Sequence, residues 1–190
     1  MPTLRHATPA AWTQTVLADF DRFLNDHAAA EKKASGMALS MALHYHDRPA
    51  IVAPMVDLAV EELDHFRALV RLLHERGLNL ARDRKDDYVN ALRQAVRTGR
   101  EHYLLDRLLL GAVVEARGRE RFGLIAAALP AGALQDFYRA IAASEARHEQ
   151  LFERLARDCF PAAQVDLRLT EWLDIEARVI AAQPLRPVLH

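Results

Sequence analysis

Glu-x-x-His occurs at Glu62–His65 and again at Glu145–His148, and both copies stand where a helix should be apolar. Residues three or four apart share a helix face. Around the first copy that face reads Met55, Leu58, Leu69 and Leu72; around the second it reads Phe137, Ile141, Leu151 and Leu155. Two further carboxylates interrupt apolar stripes in the same way. Glu115 falls among Leu105, Leu108, Ala112, Phe122 and Ala126, and Glu31 lies on the face of Ala38, Met41 and Tyr45. Such a chain must leave those faces in water, supply a cation or keep the carboxyls protonated, because an uncompensated buried charge costs several kcal/mol.

The rest of the chain favours helix. Of 190 residues, 34 are alanine and 28 leucine, both strong helix formers. No β-branched or aromatic run alternates over six residues, so strands are not expected. Punctuation by Gly, Pro and capping residues predicts helices over about 9–25, 27–45, 49–76, 87–97, 100–129, 133–159 and 165–182. A polar loop is expected at 78–86 and an extended tail from Pro184. Four of these helices are long and form two hairpins, 27–76 and 100–159, joined by a long crossover. The expected architecture is all-α: a ferritin-like four-helix bundle of two antiparallel hairpins with accessory N- and C-terminal helices. It would be a single domain over 1–190, with its core bundle at about 27–159.

The spacing of the polar residues repeats. Glu31 and Glu62 are 31 positions apart, and Glu115 and Glu145 are 30 apart. Measured from the turns near 46–48 and 130–131, each lone Glu lies 15 residues before its turn and each paired Glu 14 after it. At about 1.5 Å per residue, both members of a pair lie about 22 Å below their turn. Four carboxylates and two imidazoles are thereby expected at one level of the core. Two divalent cations would neutralise the four glutamates while both histidines stay neutral. Oxygen and imidazole donors suit iron or manganese, and this donor set matches the di-iron carboxylate constellation of ferritin-like bundles. The expected metal ligands, through which any catalysis would run, are Glu31, Glu62, His65, Glu115, Glu145 and His148. Glu61 and Ser144 each precede a ligating Glu and are expected to support the imidazoles, Glu61 reaching the opposite His148.

Composition excludes other classes. Cys159 is the one cysteine, which rules out a disulfide framework and a four-cysteine zinc or rubredoxin-like site. No apolar run reaches the roughly 18 residues of a membrane span, and the N-terminus has no secretory signal pattern, so a cytoplasmic protein is expected. The net charge is −1, but 22 of the 25 basic residues are arginine, whose planar fork suits phosphate.

Four stretches carry a resemblance. His27-Ala28-Ala29-Ala30-Glu31-Lys32-Lys33-Ala34, Glu61-Glu62-Leu63-Asp64-His65-Phe66, Leu109 to Arg117 with Glu120-Arg121-Phe122, and Ser144-Glu145-Ala146-Arg147-His148 are similar to the bacterial tRNA 2-methylthio-isopentenyladenosine hydroxylases. All six ligand positions match, and Gly118 replaces a serine of the family pattern. The likeness spans about residues 8–160. It implies an O₂-dependent di-iron monooxygenase that hydroxylates the isopentenyl chain of a modified adenosine next to the anticodon. Two iron ions, O₂ as co-substrate and an external reductase or ferredoxin-type electron donor are implied with it. Gly111, one turn before Glu115, is then expected to leave space for the prenyl group, walled by Leu58, Leu108 and Ala112. Arg82, Arg84, Lys85, Arg93, Arg97 and Arg100 are the candidate phosphate contacts to the tRNA anticodon stem-loop. A monomer or small oligomer without membrane contact is expected. The same metal set is also compatible with ferritin- or rubrerythrin-like iron oxidation or peroxide reduction, and with a di-iron hydroxylase of a small molecule.

Overall fold

The computed structural model describes residues 3–82 and 84–190, so Asp83 of the expected polar loop lies outside the described residues. Among the described residues every regular element is helical: α1 (Ala10–Ala18), α2 (Phe20–His44), α3 (Pro49–Glu75), α4 (Asp87–Arg93), α5 (Arg100–Ala128), α6 (Ala133–Cys159) and α7 (Ala162–Ala181). They belong to two compact units. One comprises Gln14–Arg84 with Arg186–Leu189; the other comprises the chain up to Thr13, Lys85–Leu185 and His190. Among the described residues no helix is long and apolar enough to cross a membrane.

In the first unit α2 and α3 form an antiparallel hairpin. The break expected near Asn25 falls instead at Asp19, whose extended φ of −140° separates α1 from α2. Phe23, Leu24, His27, Ala28 and Glu31 then continue one buried face of α2, which explains why the helix runs through Asn25. The Asn25 side chain is used elsewhere: its amide donates to the Asp21 carbonyl, and its oxygen accepts from the Ala81 N–H at 2.7 Å. Pro49 opens α3, where its missing N–H costs nothing. At the other end Gly77 adopts φ 72°, and the Leu78 N–H reaches back to the Leu73 carbonyl at 2.9 Å. This is the left-handed glycine stop that satisfies orphan helix carbonyls. Within the hairpin the Ser35 hydroxyl donates to the Ala59 carbonyl at 2.8 Å, fixing the register of the two helices.

In the second unit α5 and α6 form the other hairpin. Gln135 closes its turn by donating from Nε2 to the Ala126 and Leu129 carbonyls, both at 2.9 Å. α4 is shorter than its sequence suggests. The Arg97 backbone N–H turns out of the helix to donate to Asp106 at 2.8 Å. α4 keeps a clear N-cap, the Asp86 carboxylate accepting from the Val89 N–H, an interaction worth about 1 kcal/mol. α7 starts earlier than expected because Pro161 can act as the residue before the first helical turn. It packs along α5, held by one part-buried and one fully buried ion pair. Arg168 donates to Asp106 from Nε at 2.7 Å, and Arg117 donates to Glu176 from Nε at 2.8 Å. Trp12 and Trp172 are buried as packing anchors, with the Arg121 and Arg168 guanidinium groups over their rings. With α6 on one side and α7 on another, α5 is buried around most of its circumference, its charged residues Asp106, Glu115, Arg117 and Arg121 included.

Candidate metal centre

The α2–α3 hairpin gathers three of the expected ligands. Glu31, Glu62 and His65 each offer a donor atom, all within 4.8 Å of one another. His65 Nδ1 lies 3.4 Å from Glu62 Oε2 and 3.7 Å from Glu31 Oε2. Both glutamates are almost fully buried, at 4% and 1% exposure. Burial, and then the neighbouring Glu62 carboxylate, push the Glu31 carboxyl well above its usual range. Burial pulls the His65 imidazole down, but its hydrogen bonds to Glu31 and Glu62 outweigh that and push it up to about 10. Two carboxyl groups desolvated side by side create a demand for positive charge, which a bound cation would meet.

Helix spacing alone did not single out His27. The imidazole is fully buried, and its Nε2 lies 2.5 Å from Glu31 Oε1. The signal was available: His27 is four residues before Glu31, which places both on one face of α2.

The α5–α6 hairpin carries the second set. Glu115, Glu145 and His148 are all buried, and Glu115 and His148 offer donor atoms within 4.8 Å of each other. Gly118 lies one turn after Glu115. A Cβ there would stand 3.1 Å from Glu145 Oε2, so the missing side chain makes room for that carboxylate. The residues before the two paired glutamates approach the imidazole four positions on, in their own helices. Ser144 Oγ is 3.4 Å from His148 Nε2 and accepts from Arg147 at 3.0 Å. Glu61 Oε1 lies 4.0 Å from His65 Nε2.

Two expectations are corrected. The room that Gly111 was expected to leave for a prenyl group holds the Phe152 ring. A Cβ at Gly111 would come within 2.8 Å of that ring, so the glycine is there to admit an aromatic side chain from α6. Leu58, Leu108 and Ala112 are buried core residues. Arg97 is no open phosphate contact: its guanidinium donates to the buried Asp106 at 3.0 Å and 2.9 Å, as α7's Arg168 also does. Arg82, Arg84, Lys85, Arg93 and Arg100 are exposed. The sequence also gave no sign of the partner of Arg117. This arginine, fully buried, holds Glu176, Glu120, the Thr8 hydroxyl and the His6 carbonyl together.

The side chains define a class: a helical protein with buried glutamates and two Glu-x-x-His motifs, a donor set compatible with iron. Comparison with known proteins agrees. The structure is similar to Protein 43 with aldehyde deformylating oxygenase activity from Synechococcus, at a TM-score of 0.94 and 30% identity, covering 100% of this chain and 96% of that one. The fold is thus the ferritin-like one.

Over residues 1–190 the chain matches the family model described as tRNA-(MS[2]IO[6]A)-hydroxylase (MiaE), and it belongs to that family of enzymes. It is 38% identical over 151 residues to the tRNA 2-(methylsulfanyl)-N(6)-isopentenyladenosine(37) hydroxylase of Pseudomonas putida, covering 80% of this chain and 73% of that protein. It is 34% identical over 130 residues to the enzyme of the same name from Salmonella typhimurium, covering 68% of this chain and 47% of that protein.

Proposed function

We propose that this protein is an O₂-dependent hydroxylase of the isopentenyl side chain of 2-methylthio-isopentenyladenosine beside the anticodon of tRNA. Membership of the hydroxylase family over the whole chain carries this reading. In the overall reaction one oxygen atom of O₂ enters a C–H bond. The other leaves as water, with two electrons from an external reductase or ferredoxin-type donor and two protons from solvent.

Two iron ions fit the residues present. Glu31 and Glu62 are carboxylates buried together beside an imidazole, a donor set that needs a cation and suits iron. Glu31, Glu62 and His65 would hold iron from one hairpin, and Glu115, Glu145 and His148 from the other. Bound iron would supply the O₂ activation that hydroxylation of a C–H bond requires. The chain's own residues do the remaining work. Leu58 on α3, and Leu108 and Ala112 on α5, are buried and keep water from the interior of their own hairpins. Gly118 leaves the Glu145 carboxylate its space. Ser144 and Glu61 flank the imidazoles of their own helices. Arg82, Arg84, Lys85, Arg93 and Arg100 are exposed and would contact tRNA phosphates, which position the substrate without reading its sequence. A cytoplasmic monomer or small oligomer, acting without a membrane, suits this substrate.

A second reading, an oxygenase of a small apolar molecule, is favoured by the likeness to the Synechococcus protein. Mass spectrometry of nucleosides separates the two. Prenylated tRNA is incubated with iron-loaded protein, O₂ and a reductant. The expected product is the prenylated adenosine heavier by one oxygen atom. Glu115→Ala should abolish that product and lower bound iron while far-UV circular dichroism stays helical. Turnover of an aldehyde with no change in tRNA would replace the first reading by the second.

A further inference from the structure

Glu31 has two oxygens with different partners inside one hairpin. Its Oε1 lies 2.5 Å from His27 Nε2, a short contact. Its Oε2 faces His65 Nδ1 at 3.7 Å. The His27 ring is itself held: it is fully buried, and the Phe23 ring, one turn earlier on α2, lies against it at 6.0 Å between centroids. A carboxyl group with one oxygen engaged by a ring nitrogen has the other oxygen turned toward a metal position. The repeat in the sequence makes the contrast informative. Glu115 is the counterpart of Glu31, and the position four residues before it is Gly111, which has no side chain and is filled by the Phe152 ring. A hydrogen-bonding group therefore stands one turn before the lone glutamate of α2, and an apolar ring stands at the corresponding place beside α5.

We propose that His27 is a positioning residue for the metal centre. It holds Glu31 by Oε1, presents Oε2 alone as a ligand, and makes the two metal positions unequal. The inference rests on the metal centre of the proposed function. Partners that orient a metal's ligands contribute about 10–100-fold in affinity.

The test is anaerobic titration of the metal-free protein with Co(II), followed by the visible absorption bands that report the metal's coordination. Three variants are compared with the wild type. His27→Ala removes the contact. His27→Phe also removes it but keeps the ring packed on Phe23. His27→Gln puts an amide N–H close to the place of Nε2. The wild type should bind two ions per chain. The Ala and Phe variants should weaken one ion by about 10–100-fold and alter its absorption bands, with the other ion unaffected. The Gln variant should restore both. If His27→Ala folds poorly, the Phe and Gln pair carries the comparison. Unchanged affinity and bands in the Phe variant, or no restoration by Gln, would overturn the role of His27. Failure of the wild type itself to bind Co(II) would overturn the metal centre, and this inference with it.

Discussion

Gly111→Ala adds one methyl group, and the structure says where it lands. Its Cβ would stand 2.8 Å from Cδ1 and Cε1 of Phe152 and 2.9 Å from Cγ. Carbon atoms in good contact sit about 3.5–4.0 Å apart. Spinning the ring does not relieve the clash, because Cγ lies on the rotation axis. The Phe152 side chain must change rotamer, or α6 must move away from α5. Overpacking of this kind costs about 1–3 kcal/mol. The same substitution gains about 1 kcal/mol of helix propensity. Gly36→Ala is the matched control, since nothing lies within 4 Å of a Cβ there; it should only gain. The two variants should therefore differ by about 1–3 kcal/mol, with Gly111→Ala the less stable. For a chain of this size each kcal/mol moves the Tm by about 2–4 °C, so thermal and urea unfolding of the metal-free proteins resolve the difference. Phe152→Leu, added to Gly111→Ala, should recover part of the loss. If Gly111→Ala proves as stable as Gly36→Ala, the ring is not where this reasoning puts it.

Other perturbations test the ties to α7. Arg117→Met leaves Glu176 buried without its main partner and should cost about 3–5 kcal/mol in urea unfolding, while the double variant Arg117→Met, Glu176→Leu should regain much of it; equal losses in both would contradict the pairing. Asp106 gives a pH test. Burial pushes its carboxyl up, but hydrogen bonds from Arg168 and Arg97 outweigh that and hold it below the usual range. A carboxyl depressed by folding contributes stability above its unfolded pKa of about 3.9 and loses it as pH falls through the lower folded value. Acid should therefore lower the urea midpoint of the wild type more steeply below about pH 4 than that of Asp106→Asn; parallel acid limbs would refute the assignment.

Much of this molecule was legible from local spacing. A helix repeats its face every three to four residues, so Glu62 with His65, and Glu145 with His148, had to share a face whatever they packed against. Turn positions and a constant rise per residue then placed Glu31 beside Glu62. The structure gathers those groups with His65 as that register requires. Helix ends were read less well where the stop signal was not local. Asn25 looked like a boundary, but its polar atoms are satisfied by Asp21 and by Ala81 in a distant loop. α4 ends before Arg97 because Asp106, nine residues on, captures that backbone N–H.

The sequence by itself determined the helices and which donors each would turn toward a core, because periodicity and punctuation are properties of a single chain segment. Tertiary structure decided what each of those faces met. Gly111 could have opened a space, but α6 brings Phe152 into it. Arg97 could have faced a phosphate, but Asp106 and the arriving α7 claim it. Arg117 found Glu176, 59 residues away, and Arg119 found Glu149 across the α5–α6 hairpin. Such partners depend on packing register and on the burial that makes an unpaired charge expensive, and neither is written within one helical turn.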